Sequence, residues 1–256
     1  SGLESKVSCG NQNIEPNKGN QKQWFGTGGA QYRDKTSQEQ ALNTSLERFQ
    51  SHQLADLDKA NLMDRVDVKF MLPRAFLPSL LAQLQSYYSV LEINNQRISR
   101  YYNQYFDTKN LRFYHEHHNG KLNRFKVRQR TYLDTDTQFL EVKFKNNQKR
   151  TIKSRIPCAE RLTLDFNLWY QADENSEKIN LLGFFIAELK QQKRSKRSPF
   201  FQLMSKNNIV PASFSKYCIG CALLKNGAIK TNQFKPILRQ IEKFSKAHQS
   251  DIYLSN

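Results

Sequence analysis

The residues best suited to chemistry in this chain are cations that recur at every second position. Residues 124–130 read Arg-Phe-Lys-Val-Arg-Gln-Arg, so cations alternate with other residues throughout this segment. Side chains of a β-strand alternate between its two faces, so these cations share one face. The same alternation recurs over residues 65–69, 141–145, 149–155 and 161–165, where a few carboxylates stand among the cations.

Rows of cations on neighbouring strands need an explanation, because taking an unpaired charge out of water costs several kcal/mol. Guanidinium and ammonium groups match phosphate oxygens. We therefore interpret the rows as the lining of an interior that holds a run of phosphates. The alternative is an ordinary amphipathic sheet with a solvated charged face. Like charges opposite each other destabilise a sheet, which argues against that alternative.

Short alternating segments separated by turn residues predict an antiparallel sheet, and apolar residues at helical spacing predict helices. The predicted strands cover residues 64–72, 97–107, 123–132, 138–145, 149–156, 160–168 and 182–190, and the predicted helices cover residues 73–88, 198–207, 214–224 and 234–248. The expected fold class is α+β, an antiparallel β-barrel with flanking helices. Residues 1–60 are expected to be a flexible or weakly structured leader, and residues 61–256 the folded domain.

The overall charge also indicates an anionic partner. The chain has 256 residues, with 40 Lys and Arg against 23 Asp and Glu and a formal net charge of +17, which favours a polyanion. No window approaches the ~18 consecutive apolar residues of a membrane span. We therefore expect no membrane span and a cytoplasmic location. The four cysteines are too few for a disulfide framework in a chain of this length.

Four further features have simple structural interpretations. Cys218 and Cys221 lie in an apolar helical segment and are expected to pack in the core rather than bind metal. His115, His117 and His118 are expected in an exposed loop. The basic cluster at residues 193–197 is expected at the mouth of the cationic interior, and the aromatic residues of the predicted strand 97–107 are expected to pack.

Several short motifs of the sequence occur in the order and spacing of a known family. They are Asp67-Val68-Lys69-Phe70, Tyr105-Phe106-Asp107-Thr108, Lys126-Val127-Arg128-Gln129-Arg130, Glu141-Val142-Lys143, Arg161-Leu162-Thr163-Leu164-Asp165, Glu188-Leu189-Lys190 and Ser215-Lys216-Tyr217. Together they resemble the VTC domain, which is the polyphosphate polymerase branch of the triphosphate tunnel metalloenzymes. The resemblance extends over residues 63–241.

The resemblance implies a tunnel of antiparallel strands that binds a nucleoside triphosphate or polyphosphate with Mn²⁺ or Mg²⁺. The phosphate ligands that it implies are Lys69, Arg128, Arg130, Lys143, Lys153, Arg161, Lys190 and Lys216. Among them, the catalytic group that would clamp the β- and γ-phosphates comprises Arg128, Arg130, Lys143 and Lys153. Glu188 is the implied metal carboxylate, and Glu141 and Asp67 are further metal or orienting candidates.

One departure from the family concerns the number of strands. Only residues 154–160 separate the strand of Lys153 from that of Arg161, where the family has a longer stretch. The predicted strands are odd in number, whereas a closed antiparallel meander needs an even number. An additional strand is therefore expected from the leader or from Trp169 and Tyr170, or the tunnel is partly open.

The function that the resemblance implies is metal-dependent transfer of the γ-phosphate of ATP to a growing polyphosphate chain. ATP and polyphosphate are the expected partners, with no specific nucleic acid. Two alternatives stay open: a triphosphate or polyphosphate hydrolase of the same fold, and a non-catalytic polyanion-binding module. The sequence does not predict an oligomeric state.

Overall fold

The helices and strands of the protein are taken from a computed structural model, which describes residues 3–11, 40–53, 66–145, 160–173, 176–191, 193–225 and 227–254. The helices are α1 (40–47), α2 (Leu77–Leu84), α3 (Arg112–His118), α4 (Pro199–Lys206), α5 (Lys216–Leu224) and α6 (Lys235–Leu254). The strands are β1 (Leu3–Asn11), β2 (Ser51–His52), β3 (Val66–Pro73), β4 (Val90–Leu91), β5 (Tyr101–Thr108), β6 (Arg124–Tyr132), β7 (Thr137–Lys145), β8 (Glu160–Asp165), β9 (Leu168–Gln171), β10 (Ile179–Leu181) and β11 (Phe184–Gln191). Within these ranges no helix is long and apolar enough to cross a membrane.

The smaller of the two main sheets has β11 at its centre, with β3 and β8 antiparallel on either side. Phe185, Ala187 and Leu189 of β11 belong to a hydrophobic core that also contains the apolar residues of α2 and α4. Because side chains alternate along a strand, Glu188 and Lys190 lie on the opposite face. Burial of the apolar face under two helices therefore determines where the charged face points.

The larger sheet has the strand order β10-β9-β1-β5-β6-β7, and all of its neighbouring strands are antiparallel. Alternate residues of β5 are buried, Tyr105 among them, and Tyr105 packs in a second core with apolar residues of α3, α5 and α6. The register places Tyr105 opposite Arg128 of β6. The cations of β6 therefore share a face with the buried residues of β5, and we call this the inner face of the larger sheet.

The prediction of a closed antiparallel β-barrel is wrong. In the described part of the chain the strands form separate sheets of six, three and two strands, and none of these sheets closes on itself. The period-two alternation shows which residues share a face, but it carries no information about which strand edges pair. The α+β composition is as expected, and the predicted strand 149–156 lies outside the described residues.

The chain passes from one main sheet to the other at Asn167, which lies inside the predicted strand 160–168. Asn167 has a φ of 51°, a left-handed conformation that Asn tolerates better than most residues. It separates β8 in the smaller sheet from β9 in the larger one. The additional strand expected from the leader or from Trp169 and Tyr170 comes from both, since β1 pairs with β9 and with β5.

α2, α4, α5 and α6 agree with the apolar periodicity, and α3 was not predicted. α4 and α5 begin after Ser198 and Ser215, whose hydroxyls accept hydrogen bonds from the backbone N–H groups of Phe201 and Cys218, as N-cap residues do. The predicted helix 73–88 is shorter, with a 3₁₀ turn at Arg74–Phe76 before α2. α3 was expected to be a loop. Its N-terminal capping group lies on the preceding strand, so the sequence of the helix itself does not show it.

That capping group is the buried carboxylate of Asp107 on β5. It accepts hydrogen bonds from the backbone N–H groups of Phe113 and Tyr114 at the start of α3, each at 2.9 Å. It also accepts a hydrogen bond from the hydroxyl of Tyr217 on α5. One carboxylate therefore fixes two helices against β5, and it holds the helix that begins with Lys216.

Asp107→Asn should lower the free energy of unfolding by about 2 kcal/mol or more, because hydrogen bonds to a buried charged group contribute about 1.5–3 kcal/mol each. Tyr217→Phe, which removes one donor and leaves the carboxylate in place, should cost less. Urea denaturation measures both changes. Glu242→Gln on the exposed side of α6 is the control and should change stability much less, because it removes only an exposed ion pair with Lys246. Wild-type stability in Asp107→Asn would contradict this assignment.

Candidate functional site

The charged face of the smaller sheet is organised around Glu188. The register places Glu188 between Lys69 of β3 and Thr163 of β8. The Nζ of Lys69 is 3.3 Å from Oε1 of Glu188, and the Nζ of Lys190 is 2.9 Å from Oε2. Lys190 also donates a hydrogen bond to Oγ1 of Thr163 at 2.8 Å. We call Lys69, Glu188 and Lys190 the Glu188 cluster.

The Glu188 cluster holds an ionised carboxylate between two ammonium groups. Burial on its own would raise the pKa of Glu188, but Lys69 and Lys190 outweigh burial and hold this pKa well below its ordinary value. Burial lowers the pKa of Lys190, and Glu188 opposes that change. One carboxylate cannot neutralise two cations, so the cluster carries a positive excess.

The inner face of the larger sheet presents two arginines in fixed orientations. Arg128, which is 9% exposed, donates from Nε to the carboxylate of Glu141 on β7. Arg130 donates from Nε to Oδ1 of Asn103 at 2.9 Å, and its Cζ lies 4.4 Å from the ring centroid of Tyr101. These contacts use the Nε edge of each guanidinium and reduce its rotational freedom before any ligand binds.

The charged faces of the two sheets are joined by Lys216, the first residue of α5. Its Nζ lies 2.6 Å from Oδ2 of Asp165 on β8 and 2.6 Å from the hydroxyl of Tyr101 on β5. The Tyr101 hydroxyl donates to Oδ1 of Asp165 at 2.8 Å. Burial alone would raise the pKa of Asp165, and Lys216 reverses this and lowers it. We call these three residues the Lys216 bridge, and the space between the two charged faces the cleft.

Lys126 of β6 is a cation on which charges of both sheets act. Its Nζ lies 3.3 Å from the hydroxyl oxygen of Ser215 and 5.6 Å from the ring centroid of Tyr105. Burial lowers the pKa of Lys126 to about 8, and repulsion by Lys69 and Arg128 contributes to this shift. Since Lys69 belongs to the smaller sheet, cations of both sheets act on one another within the cleft.

Most of the residues predicted from the sequence converge on the cleft. They are Lys69, Arg128, Arg130, Glu141, Glu188, Lys190 and Lys216. Lys143 is opposite Lys126 but exposed on the edge strand β7. Arg161 is opposite Lys190, also exposed, and Asp67 is exposed at the edge of the same sheet. Lys153 lies outside the described residues.

Three residues of the cleft were absent from the predicted site. Lys126 has the same alternation as Arg128 on β6, and Asp165 has the same alternation as Arg161 on β8. The rule that placed Arg128 and Arg161 on the charged face therefore also places Lys126 and Asp165 there. Tyr101 was expected only to pack, because a tyrosine on a strand is usually a packing residue. The contact of Tyr101 with two partners on other elements has no signal in its local sequence.

The other sequence features have mixed outcomes. Cys218 and Cys221 are buried with free thiols, as expected. The expectation of an exposed loop for His115, His117 and His118 is wrong, since they are partly buried on α3. Asp107 caps this helix from outside its own segment. The basic residues of the 193–197 cluster are exposed beyond Lys190 and the end of β11.

The described side chains do not form a complete metal centre. No group of three or more His, Cys, Asp or Glu residues comes together in the described ranges. Glu188 and Asp165 are close enough that the charge of Glu188 acts on the pKa of Asp165. Mg²⁺ and similar ions commonly take one or two protein carboxylates and complete their shell with phosphate oxygens and water. Glu188 fits such a site if a phosphate ligand shares the ion.

Comparison with known proteins finds a family match over part of the chain. A model of the VTC domain matches residues 64–181, a segment that contains Lys69, Arg128 and Asp165 and ends before Glu188. No curated protein sequence matches the chain. VTC domains belong to the triphosphate tunnel metalloenzyme-like fold, and the family is associated with polyphosphate polymerase activity and divalent metal dependence. The resemblance inferred from the motifs is thus confirmed over residues 64–181, which match the VTC domain.

Proposed function

We propose that the cleft binds a chain of phosphates and that the protein transfers the γ-phosphoryl group of ATP to a growing polyphosphate chain. The observation that carries this proposal is the convergence of cations from both sheets in one partly buried space. Lys69 and Lys190 share the carboxylate of Glu188, and among the described residues Lys126 contacts the neutral hydroxyl of Ser215 and the ring of Tyr105. A polyanion offsets this excess of charge.

The phosphate ligands divide between the two sheets. In our proposal Arg128, Arg130 and Lys143 on the larger sheet bind the β- and γ-phosphates, together with Lys153. Lys69, Arg161 and Lys190 on the smaller sheet, together with Lys216, bind the remaining phosphates. Arg128 and Arg130 are oriented by hydrogen bonds from Nε, and one terminal amino group of Arg130 donates weakly to the hydroxyl of Tyr132 at 3.4 Å. Further N–H groups of both guanidiniums can donate to phosphate oxygens. Glu188, with Asp165 nearby, would share a Mn²⁺ or Mg²⁺ with phosphate oxygens, which would offset negative charge at the phosphates.

The proposed reaction needs positioning and charge neutralisation rather than a covalent intermediate with the protein. A terminal oxygen of the acceptor polyphosphate attacks the γ-phosphorus of ATP in line with the leaving oxygen. The new bond joins that oxygen to the γ-phosphorus, and the bond between the γ-phosphorus and the β–γ bridging oxygen breaks. ADP leaves, and the acceptor chain gains one phosphate.

One prediction from the proposed function concerns turnover. With ATP and Mn²⁺ or Mg²⁺ the protein should form polyphosphate, and Glu188→Gln and Arg130→Met should each reduce the rate by about 100-fold or more, because both groups stabilise charge in the transition state. A gel stained for polyphosphate measures chain formation, and ADP release gives the rate.

Matched controls are Glu242→Gln and Arg112→Met, which alter exposed residues outside the cleft. Both should retain wild-type turnover. Orthophosphate as the sole product would indicate hydrolysis instead. Binding of polyphosphate without any metal-dependent turnover would contradict an enzymatic role, and full activity in Glu188→Gln would remove Glu188 from the mechanism.

Another prediction concerns the pH dependence of polyphosphate binding. The pKa of Lys126 is about 8 in the free protein, so Lys126 is largely charged at pH 7 and largely neutral at pH 9. A bound phosphate chain favours the charged form. Affinity for long-chain polyphosphate, whose internal phosphates do not titrate in this range, should therefore fall by up to about tenfold from pH 7 to pH 9.5 at constant ionic strength.

Lys126→Met tests the origin of this dependence. The variant should bind polyphosphate more weakly than the wild type at pH 7, and its affinity should change little between pH 7 and pH 9.5. Isothermal titration calorimetry measures both affinities. The same pH dependence in Lys126→Met as in the wild type would show that another group is responsible.

A further inference from the structure

A cavity of about 680 Å³ adjoins the cleft and differs from it in chemistry. Its walls come from α3, the start of β6, the end of β3, residues 208–213 and the N-terminal half of α6. Much of the lining is apolar, including Met71, Phe234 and Ile237, and amide side chains such as Gln233 and Gln240 are interspersed. A volume of this size suits a small organic molecule, and the lining suits one that carries little charge.

The cavity neighbours the cleft at two elements. Arg124 lines the cavity and stands two residues before Lys126 on the same face of β6. On the other side, the backbone N–H of Ala212 in the cavity wall donates to the carbonyl oxygen of Lys69 at 2.8 Å. A molecule in the cavity therefore lies next to the residues of the cleft.

Arg124 is held at this junction in a defined position. One terminal amino group of Arg124 donates to the carbonyl oxygen of Lys121 at 2.6 Å. The rest of the guanidinium remains for a phosphate oxygen next to the cavity. His117, which also lines the cavity, has a pKa lowered to about 3 by burial and by cations including Lys126 and Arg124. His117 is thus an uncharged aromatic ring at neutral pH, beside the ring of Phe234 at a centroid distance of 6.1 Å.

We propose that this cavity binds the nucleoside of the phosphoryl donor, with Arg124 at the junction between the nucleoside and its phosphates. A polyphosphate chain fits the cavity poorly, because Arg124 is the one Lys or Arg among the described residues that line it. A flat, neutral base fits aromatic and apolar walls, and base stacking on aromatic side chains is favourable. The side chain of Gln240, which makes no hydrogen bond within the described part of the chain, supplies both an amide donor and an acceptor.

This inference rests on the proposed function, since it assumes that the donor's phosphates occupy the cleft. It adds an expectation about which triphosphates the protein prefers. The cleft recognises phosphates regardless of what carries them, and the cavity distinguishes a nucleoside triphosphate from an inorganic one.

Gln240→Trp tests the proposal by filling the cavity, and Gln249→Trp at an exposed position of α6 is the matched control. Calorimetry with ATP and with tripolyphosphate should show that Gln240→Trp weakens ATP binding about tenfold or more and changes tripolyphosphate binding less than twofold. Gln249→Trp should leave both affinities unchanged. Thermal unfolding of the three proteins reports whether Gln240→Trp is folded, and Gln240→Leu, which removes the amide at similar size, should weaken ATP alone by a smaller factor.

Other outcomes overturn the proposal. If Gln240→Trp and Gln240→Leu bind ATP like the wild type, the nucleoside lies elsewhere, while the phosphate-binding cleft stands. An equal loss of both ligands in Gln240→Trp would mean that the cavity has no selectivity for the nucleoside. If the wild-type protein binds neither ATP nor tripolyphosphate, the proposed function fails, and the nucleoside site fails with it.

Discussion

Two cationic sheet faces repel each other, and a small number of carboxylates determines whether they can lie side by side. Asp165, in the Lys216 bridge, contacts Lys216 and Tyr101 and so connects β8, α5 and β5. Glu188 holds Lys69 and Lys190 on one sheet, and Glu141 holds Arg128 on the other. Because these pairs are partly buried, their attraction is screened less than that of surface pairs. The remaining positive charge is available to a ligand.

The helices cover the apolar side of the smaller sheet, pack on the inner face of the larger sheet at β5, and bring side chains to the cleft. α2 and α4 cover the smaller sheet. α5 packs under β5 and contributes Lys216, while Asp107 ties α5 and α3 to the same strand. The cleft and the adjoining cavity therefore depend on the same β5 to α5 contacts. Loss of Asp107 would disturb both sites together, whereas changes in Gln240 affect one.

The sequence predicted which residues share a face of a strand, but it did not predict which strands pair at their edges. Alternation along β6 predicted that Arg128 and Arg130 share a face, and alternation along β11 separated Glu188 from Leu189, as the structure has them. The closed barrel was wrong because edge pairing depends on the path of the chain. The left-handed turn at Asn167, which sends the chain from one sheet to the other, has only a weak local signal. Tyr101 was missed for a related reason: its partners come from distant segments.

The central claim is that both sheets contact one phosphate chain. A crystal structure with bound tripolyphosphate tests it most directly. We expect the three phosphates to lie in the cleft, with Arg128 or Arg130 of the larger sheet and Lys69 or Lys190 of the smaller sheet within hydrogen-bonding distance of the same ligand. Tripolyphosphate bound to the residues of a single sheet, with the facing cations turned away from it, would contradict the account.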